Sequence, residues 1–261
     1  MLDRESPPAG DARRPDGALT HDDAGEGPPV LYFHGGGDSR LSRPAETHGV
    51  RLVSVDRCGQ AVPGRSLRSW ATDVVALADE LGLERFGVVG WSAGGPHALA
   101  VAAVAPERVE RVALVASMPP PDGLRFMPRD VRLVMGLARR SPRLAAHALE
   151  RWGSKVPDPT GDPAHDEAYS RGRAESFRHG GLWLAQELAY LGRPWGFELA
   201  DVTPPIALWW GTRDYVTPPE LAHAYARELP HAELKLVEGS HQLLFSRWRE
   251  ILVDAAPRTR P

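Results

Sequence analysis

The feature that most constrains the fold is a short passage. An apolar, β-prone run from Phe86 to Val89 enters Gly90-Trp91-Ser92-Ala93-Gly94-Gly95 and emerges into the alanine-rich run Pro96 to Ala105. A strand that turns this abruptly into a helix needs residues with little or no side chain at the turn, and it is half of a βαβ unit. Other runs repeat the theme. Val30 to Phe33 is apolar and stopped by His34-Gly35-Gly36-Gly37; Arg51 to Val55 runs into Asp56-Arg57; Val109 to Ala116, Ile206 to Trp210 and Glu233 to Val237 follow. Helical spacing appears from Ser69 to Leu81, with Ser69 or Thr72 placed to cap it, from Pro218 to Leu229, and near Leu244 to Val253. Alternation at this spacing predicts an α/β fold with a mostly parallel sheet.

The rhythm breaks between Met118 and Val202, where helical patterns run from Pro128 to Trp152 and from Asp166 to Leu191 and no buried strand is evident. Ligands of open α/β sheets bind beyond the carboxyl ends of the strands, so this stretch is expected to be a helical cap over that edge. The organisation read from the sequence is a core of residues 29–117 and 203–261, a cap or lid of residues 118–202, and a flexible tail of residues 1–28 rich in Pro, Gly, Asp and Glu, with a short strand near Ala18 to Thr20. A hydrophobic content of 42% supplies a core, and a net charge of −3 gives no basic field for nucleic acid. A polar amino terminus and the lack of an 18-residue apolar run predict a cytoplasmic protein with no membrane partner. Cys58, the only cysteine, can form neither an intrachain disulfide nor a cysteine metal cluster.

Gly90-x-Ser92-x-Gly94 between a strand and a helix has the spacing that holds a serine in a strained turn at the tip of a sheet. Serine is a weak nucleophile until a base takes its proton, and the base needs a third group to fix its tautomer. His241 follows the last strand through Glu238-Gly239-Ser240, and Asp214 follows the preceding one through Gly211-Thr212-Arg213. Both therefore belong at the strand ends where Ser92 belongs, in the chain order Ser, Asp, His. Asp122 stands as the rival acid; His97, inside the helix after the serine, should point away from it. Backbone N–H groups of Ala93 and of the glycine loop, at Gly36 or Gly35, are placed to serve as an oxyanion hole.

Together the stretch from Tyr32 to Arg40, Asp56-Arg57, the turn Gly90 to Ala100, Pro194-Trp195-Gly196-Phe197, Trp210-Gly211-x-x-Asp214 and His241 resemble the bacterial α/β-hydrolase fold family over roughly residues 30–253. The resemblance implies a Ser92, Asp214, His241 triad, no cofactor and a cap. It implies no particular substrate. The chain departs from relatives at Cys58, where they often carry proline, in a loop that borders their pocket.

The reading is thus hydrolysis of a carboxylic ester or related acyl bond of a small molecule with an apolar acyl part. The alternative on the same scaffold is C–C cleavage, lyase, cyclase or perhydrolase chemistry, or ligand binding alone. Trp91, Trp183 and Trp195 are candidates for the substrate pocket, against a packing role for each. Arg139, Arg140, Arg143 and Arg151 read as a solvated helical face. A dinucleotide-binding fold would need glycine where Ser92 stands, neither Lys155 nor Lys235 follows a glycine as a phosphate loop requires, and no H-E-x-x-H metal motif occurs.

Overall fold

The computed structural model describes residues 19–36, 39, 43–57, 66–153, 162–177 and 180–258. The chain forms β1 (His21–Ala24), β2 (Pro29–Phe33), β3 (Arg51–Val55), α1 (Leu67–Glu80), β4 (Phe86–Trp91), α2 (Gly94–Val104) and β5 (Val109–Val115). Then come α3 (Arg129–Arg140), α4 (Pro142–Gly153), α5 (Pro163–Ser176) and α6 (Leu182–Leu191), followed by β6 (Ile206–Gly211), α7 (Pro219–Glu228), β7 (Ala232–Val237), α8 (Leu243–Ser246) and α9 (Trp248–Ala255).

Among the described residues the strands make one seven-stranded sheet in the order β1-β3-β2-β4-β5-β6-β7. Only β1 is antiparallel, pairing with β3 from His21 opposite Val55 to Ala24 opposite Leu52. The sheet is buried on both faces because its strands alternate between two sets of helices. Leu31, Phe33, Val88, Leu114 and Leu208 face α1, α2 and α7 with Trp70, Leu99 and Tyr225. Val30, Tyr32, Val89, Val115 and Trp209 face α8 and α9 with Phe245, Trp248 and Ile251. The chain leaves β2 toward β3 on one side and returns to β4 on the other, which opens a crevice at the carboxyl ends of β2 and β4.

Several sequence expectations change. The expected tail of residues 1–28 ends too late: Leu19 is 2% exposed and Thr20 O accepts from Asp56 N at 2.9 Å, so this stretch is zipped to the sheet edge through β1. Residues 1–18 and Cys58 lie outside the described residues. Helix α1 begins earlier than expected because Ser66 is the cap: its Oγ accepts from Ser69 N at 3.1 Å while Ser69 Oγ accepts from Ser66 N at 2.9 Å. The pattern from Pro128 to Trp152 splits at Ser141, since Pro142 cannot donate to the preceding turn. The pattern from Asp166 to Leu191 likewise splits into α5 and α6 ahead of Gly180 and Gly181. Among the described residues, α3, α4 and α6 share a small apolar cluster of their own, built from Ala138, Ala145, Leu149, Leu184 and Ala185.

Candidate active site

The turn after β4 shows why its small residues are required. Ser92 has φ +52°, a left-handed conformation that costs a non-glycine residue of order 1 kcal/mol or more. It is held there from both sides: Ser92 N donates to Val115 O at 2.9 Å, and Ser92 O accepts from Met118 N at 2.9 Å and Gly95 N at 3.0 Å. A Cβ on Gly94 would stand 2.1 Å from Phe33 O, so only glycine lets α2 pass the end of β2.

His241 lies beyond β7, and its Nε2 is 3.0 Å from Ser92 Oγ while its Nδ1 is 2.9 Å from Asp214 Oδ2. Asp214 is fixed in turn. Its Oδ1 accepts from Val216 N and Thr217 N, both at 2.9 Å, and its Oδ2 accepts from Thr217 Oγ1 at 2.8 Å. A carboxylate fully occupied as acceptor favours the tautomer with the proton on Nδ1, which leaves Nε2 to accept from the serine. The rival, Asp122, is exposed in a helical turn and lines a surface cavity with Leu221, Tyr225 and Glu228. His97 stacks edge-on to Trp70 at 4.6 Å and has Nδ1 3.0 Å from Ala93 O, inside the helix packing.

The glycine loop closes the site from the β2 side. The position a Gly36 Cβ would take is 3.2 Å from the Ala93 Cβ and 3.3 Å from Leu184 Cδ1, so the Gly36 and Ala93 backbones adjoin beneath α6. Gly35 is anchored by its carbonyl, which accepts from His34 Nδ1 at 2.9 Å and from Arg57 Nη2 at 3.2 Å. His34 Nε2 accepts from Arg57 N at 3.1 Å. Burial first, and then the neighbouring Arg57 charge, push the His34 pKa below the ordinary histidine value, against the pull of Asp56, whose Oδ1 lies 3.3 Å from Nε2.

Arg57 Nη1 is ion-paired with Glu187 of α6, both partners being buried. Burial raises the Glu187 pKa, against the pull of Arg57.

The three tryptophans meet different fates. Trp91 is 1% exposed and packs among Tyr169, Phe245 and His241, with Nε1 donating to His241 O at 3.1 Å. It supports the histidine from below instead of lining an open pocket, because the last residue of a strand buried on both faces points into a helix layer. Trp183 packs against the α3, α4 and α6 cluster and donates to Ser176 O at 2.8 Å. Trp195 lies 5.8 Å from Phe197, and both line a cavity of about 560 Å³ with Pro120, Pro121, Asp122 and Glu198, a lining that includes none of Ser92, Asp214, His241 or Gly36. Arg139, Arg140, Arg143 and Arg151 are exposed, as a solvated face requires. Among the described residues no group of three His, Cys, Asp or Glu side chains could hold a metal ion, and no helix is long and apolar enough to cross a membrane.

Sequence reasoning missed Thr217, Glu187 and the role of Arg57. Thr217 carried a signal, since Asp-x-x-Thr is the spacing at which an Asp side chain captures backbone N–H groups two and three residues on. Glu187 carried one too, as a lone acid in the apolar run Leu182 to Leu191.

The sequence model of the Alpha/beta hydrolase family matches residues 30–255. The chain belongs to this family. This α/β-hydrolase is 31% identical over 251 residues to the pimeloyl-[acyl-carrier protein] methyl ester esterase of Chromobacterium violaceum, covering 87% of this chain and 92% of the relative. It is 27% identical over 259 residues to a non-heme chloroperoxidase of Streptomyces lividans, covering 87% and 89%. Its fold superposes on a thermophilic esterase from Thermogutta terrifontis with a TM-score of 0.69 at 23% identity, covering 89% of each chain.

Proposed function

We propose that this α/β-hydrolase cleaves a carboxylic ester through an acyl-enzyme on Ser92. The observation that carries the reading is the continuous chain from Ser92 Oγ to His241 at 3.0 Å and from His241 to Asp214 at 2.9 Å, beginning at a serine with φ +52°. Ser92 Oγ attacks the ester carbonyl while His241 Nε2 takes its proton, and Asp214 holds the imidazolium that results. Negative charge collects on the carbonyl oxygen, where the N–H groups of Ala93 and Gly36 serve as donors. The tetrahedral intermediate collapses as His241 returns the proton to the leaving alcohol. Water then attacks the acyl-serine with His241 as base, releasing the acid and free Ser92. These steps call on no cofactor.

The helices α3 to α6 act as the cap over this site, with Leu184 of α6 presenting an apolar surface beside Gly36 that suits an apolar acyl group. The esterase relative from Chromobacterium violaceum supports ester chemistry. The chloroperoxidase relative supports a second reading, in which hydrogen peroxide replaces water as acyl acceptor and a peracid leaves.

The test is kcat/KM on p-nitrophenyl esters of graded acyl length for wild type and Ser92→Ala. Turnover in the wild type and a loss of at least about 10⁴-fold in the variant are expected; equal rates in the two proteins contradict the reading. Peracid formation on adding hydrogen peroxide decides between the two acceptors.

A further inference from the structure

Arg57 is a charged side chain 1% exposed at the end of β3, and its guanidinium reaches both the glycine loop and α6. Nη2 donates to His34 O and to Gly35 O on the glycine loop; Nη1 pairs with Glu187 Oε1 on α6. His97 Nδ1 on α2 is 3.4 Å from Nη1. One planar cation therefore joins the carboxyl end of β3, the loop after β2, the helix behind Ser92 and a helix inserted between β5 and β6.

The two carbonyls it holds are not arbitrary. A trans peptide is planar, so its C=O and the following N–H point in opposite directions. Fixing His34 O fixes the Gly35 N–H, and fixing Gly35 O fixes the Gly36 N–H. Among the described residues of the loop, Gly36 is the one whose backbone adjoins Ala93. The direction of the Arg57 fork is in turn set by Glu187, whose carboxyl reaches down from α6. The other oxygen, Glu187 Oε2, is buried without a hydrogen-bond partner and lies 3.8 Å from where a Gly36 Cβ would stand. The carboxylate is thus against the loop itself, in a buried setting where a charge pair is strongly felt and a broken pair leaves a buried charge.

We infer that Glu187 and Arg57 are positioning residues that couple the seating of α6 to the oxyanion-hole loop: with Glu187 on Arg57, the His34 and Gly35 carbonyls are held and the Gly36 N–H is aimed beside Ala93. With α6 lifted, the fork loses its anchor and the donor drifts. The hydrolase then completes its oxyanion hole only when α6 is seated over the substrate. This inference rests on the ester-cleaving reading of the site for its kinetic part, and its structural part stands independently.

The test compares wild type with Glu187→Gln, Glu187→Ala, Arg57→Met and the double variant Arg57→Met/Glu187→Leu, which replaces the buried ion pair with apolar groups and so guards against loss of folding. Full loss of one oxyanion donor costs 10²- to 10³-fold in kcat, so a misdirected donor is expected to cost about 10- to 100-fold in Glu187→Ala. KM should stay within about threefold, as an effect confined to the transition state requires. Glu187→Gln, which still accepts from Arg57, should recover part of the loss. Because Glu187 acts through Arg57, the double variant should lose no more than Arg57→Met alone. Independently of activity, the ¹⁵N–¹H resonances of Gly35 and Gly36 should shift and broaden in Glu187→Ala and move to the same positions in Arg57→Met. Unmoved Gly35 and Gly36 resonances, or losses in kcat that add in the double variant, overturn the coupling. A wild type that turns over no ester while the resonances move as stated overturns the esterase reading and leaves the coupling of α6 to the loop standing.

Discussion

At the scale of single residues, the site depends on acceptors being filled in the right order. Asp214 has both oxygens engaged by Val216, Thr217 and His241, an occupancy that favours the histidine tautomer with the proton on Nδ1. Asp214→Asn presents an amide donor to Nδ1, favours the opposite tautomer, and should lower kcat by about 10⁴-fold with little change in KM. Asp122→Asn, made on an exposed residue of another surface, should leave kcat/KM within about twofold of wild type. Steady-state kinetics of the two variants side by side checks both, and a loss in Asp122→Asn with none in Asp214→Asn would reverse the assignment. The chain order of Ser92, Asp214 and His241 could be read from the sequence because each follows a strand end. Arg57 and Glu187 could not be paired that way, since they lie 130 positions apart and only packing brings them together. The tryptophans were ambiguous for a related reason: an indole fits a pocket wall or a core equally, and only the face of β4 puts Trp91 in the core.

At the scale of elements, tight crossings do the placing. Helix α2 passes the end of β2 at Gly94, where an added Cβ would meet the backbone oxygens of Phe33 and His34 at 2.1 and 2.7 Å. Those atoms cannot step aside as a side chain could. Gly94→Ala is expected to destabilise the fold by about 1–3 kcal/mol, the range for overpacking, and to displace the glycine loop as well. A urea unfolding midpoint unchanged from wild type would show that this crossing has slack. Strands β2 to β7 were readable as apolar runs, whereas their order across the sheet was not. Helix limits were less so: Ser66 outcompeted Ser69 as cap by forming a reciprocal pair with it, and Pro142 divides what the periodicity runs together. The first strand was expected a few residues too early, near Ala18 to Thr20, because His21-Asp22-Asp23-Ala24 is polar, as an edge strand can be when one side meets solvent.

At the scale of the whole molecule, the buried polar network beneath the site links stability to pH. His34 is held neutral by burial and by Arg57, so its folded-state pKa lies below the value of about 6.5 it has when unfolded. Below that value the unfolded chain binds the proton that the folded one refuses, and stability falls as pH drops toward the depressed pKa. Glu187 acts in the opposite sense, since a raised carboxyl pKa makes the folded state the better proton binder above the ordinary carboxylate range. The His34 contribution is isolated by difference. Between pH 7.5 and 5.5 the thermal midpoint of the wild type should fall more than that of His34→Gln; parallel midpoints in the two proteins would remove His34 from the account. The sheet that carries all of this was predictable as a class. The segment between β5 and β6 was predictable only as helical, because the ion pair that joins α6 to Arg57 links residues 130 positions apart.

Covalent labelling of the serine tests most directly whether Ser92 is an activated nucleophile. Wild-type protein is treated with a fluorophosphonate, which phosphonylates only a serine activated by a base and an oxyanion hole, and the modified peptide is identified by mass spectrometry. A single adduct on Ser92 is expected, lost in Ser92→Ala and slowed by about 10³-fold or more in His241→Ala. An unmodified Ser92 under conditions that label a known serine esterase, or labelling that proceeds at the wild-type rate in His241→Ala, would contradict it.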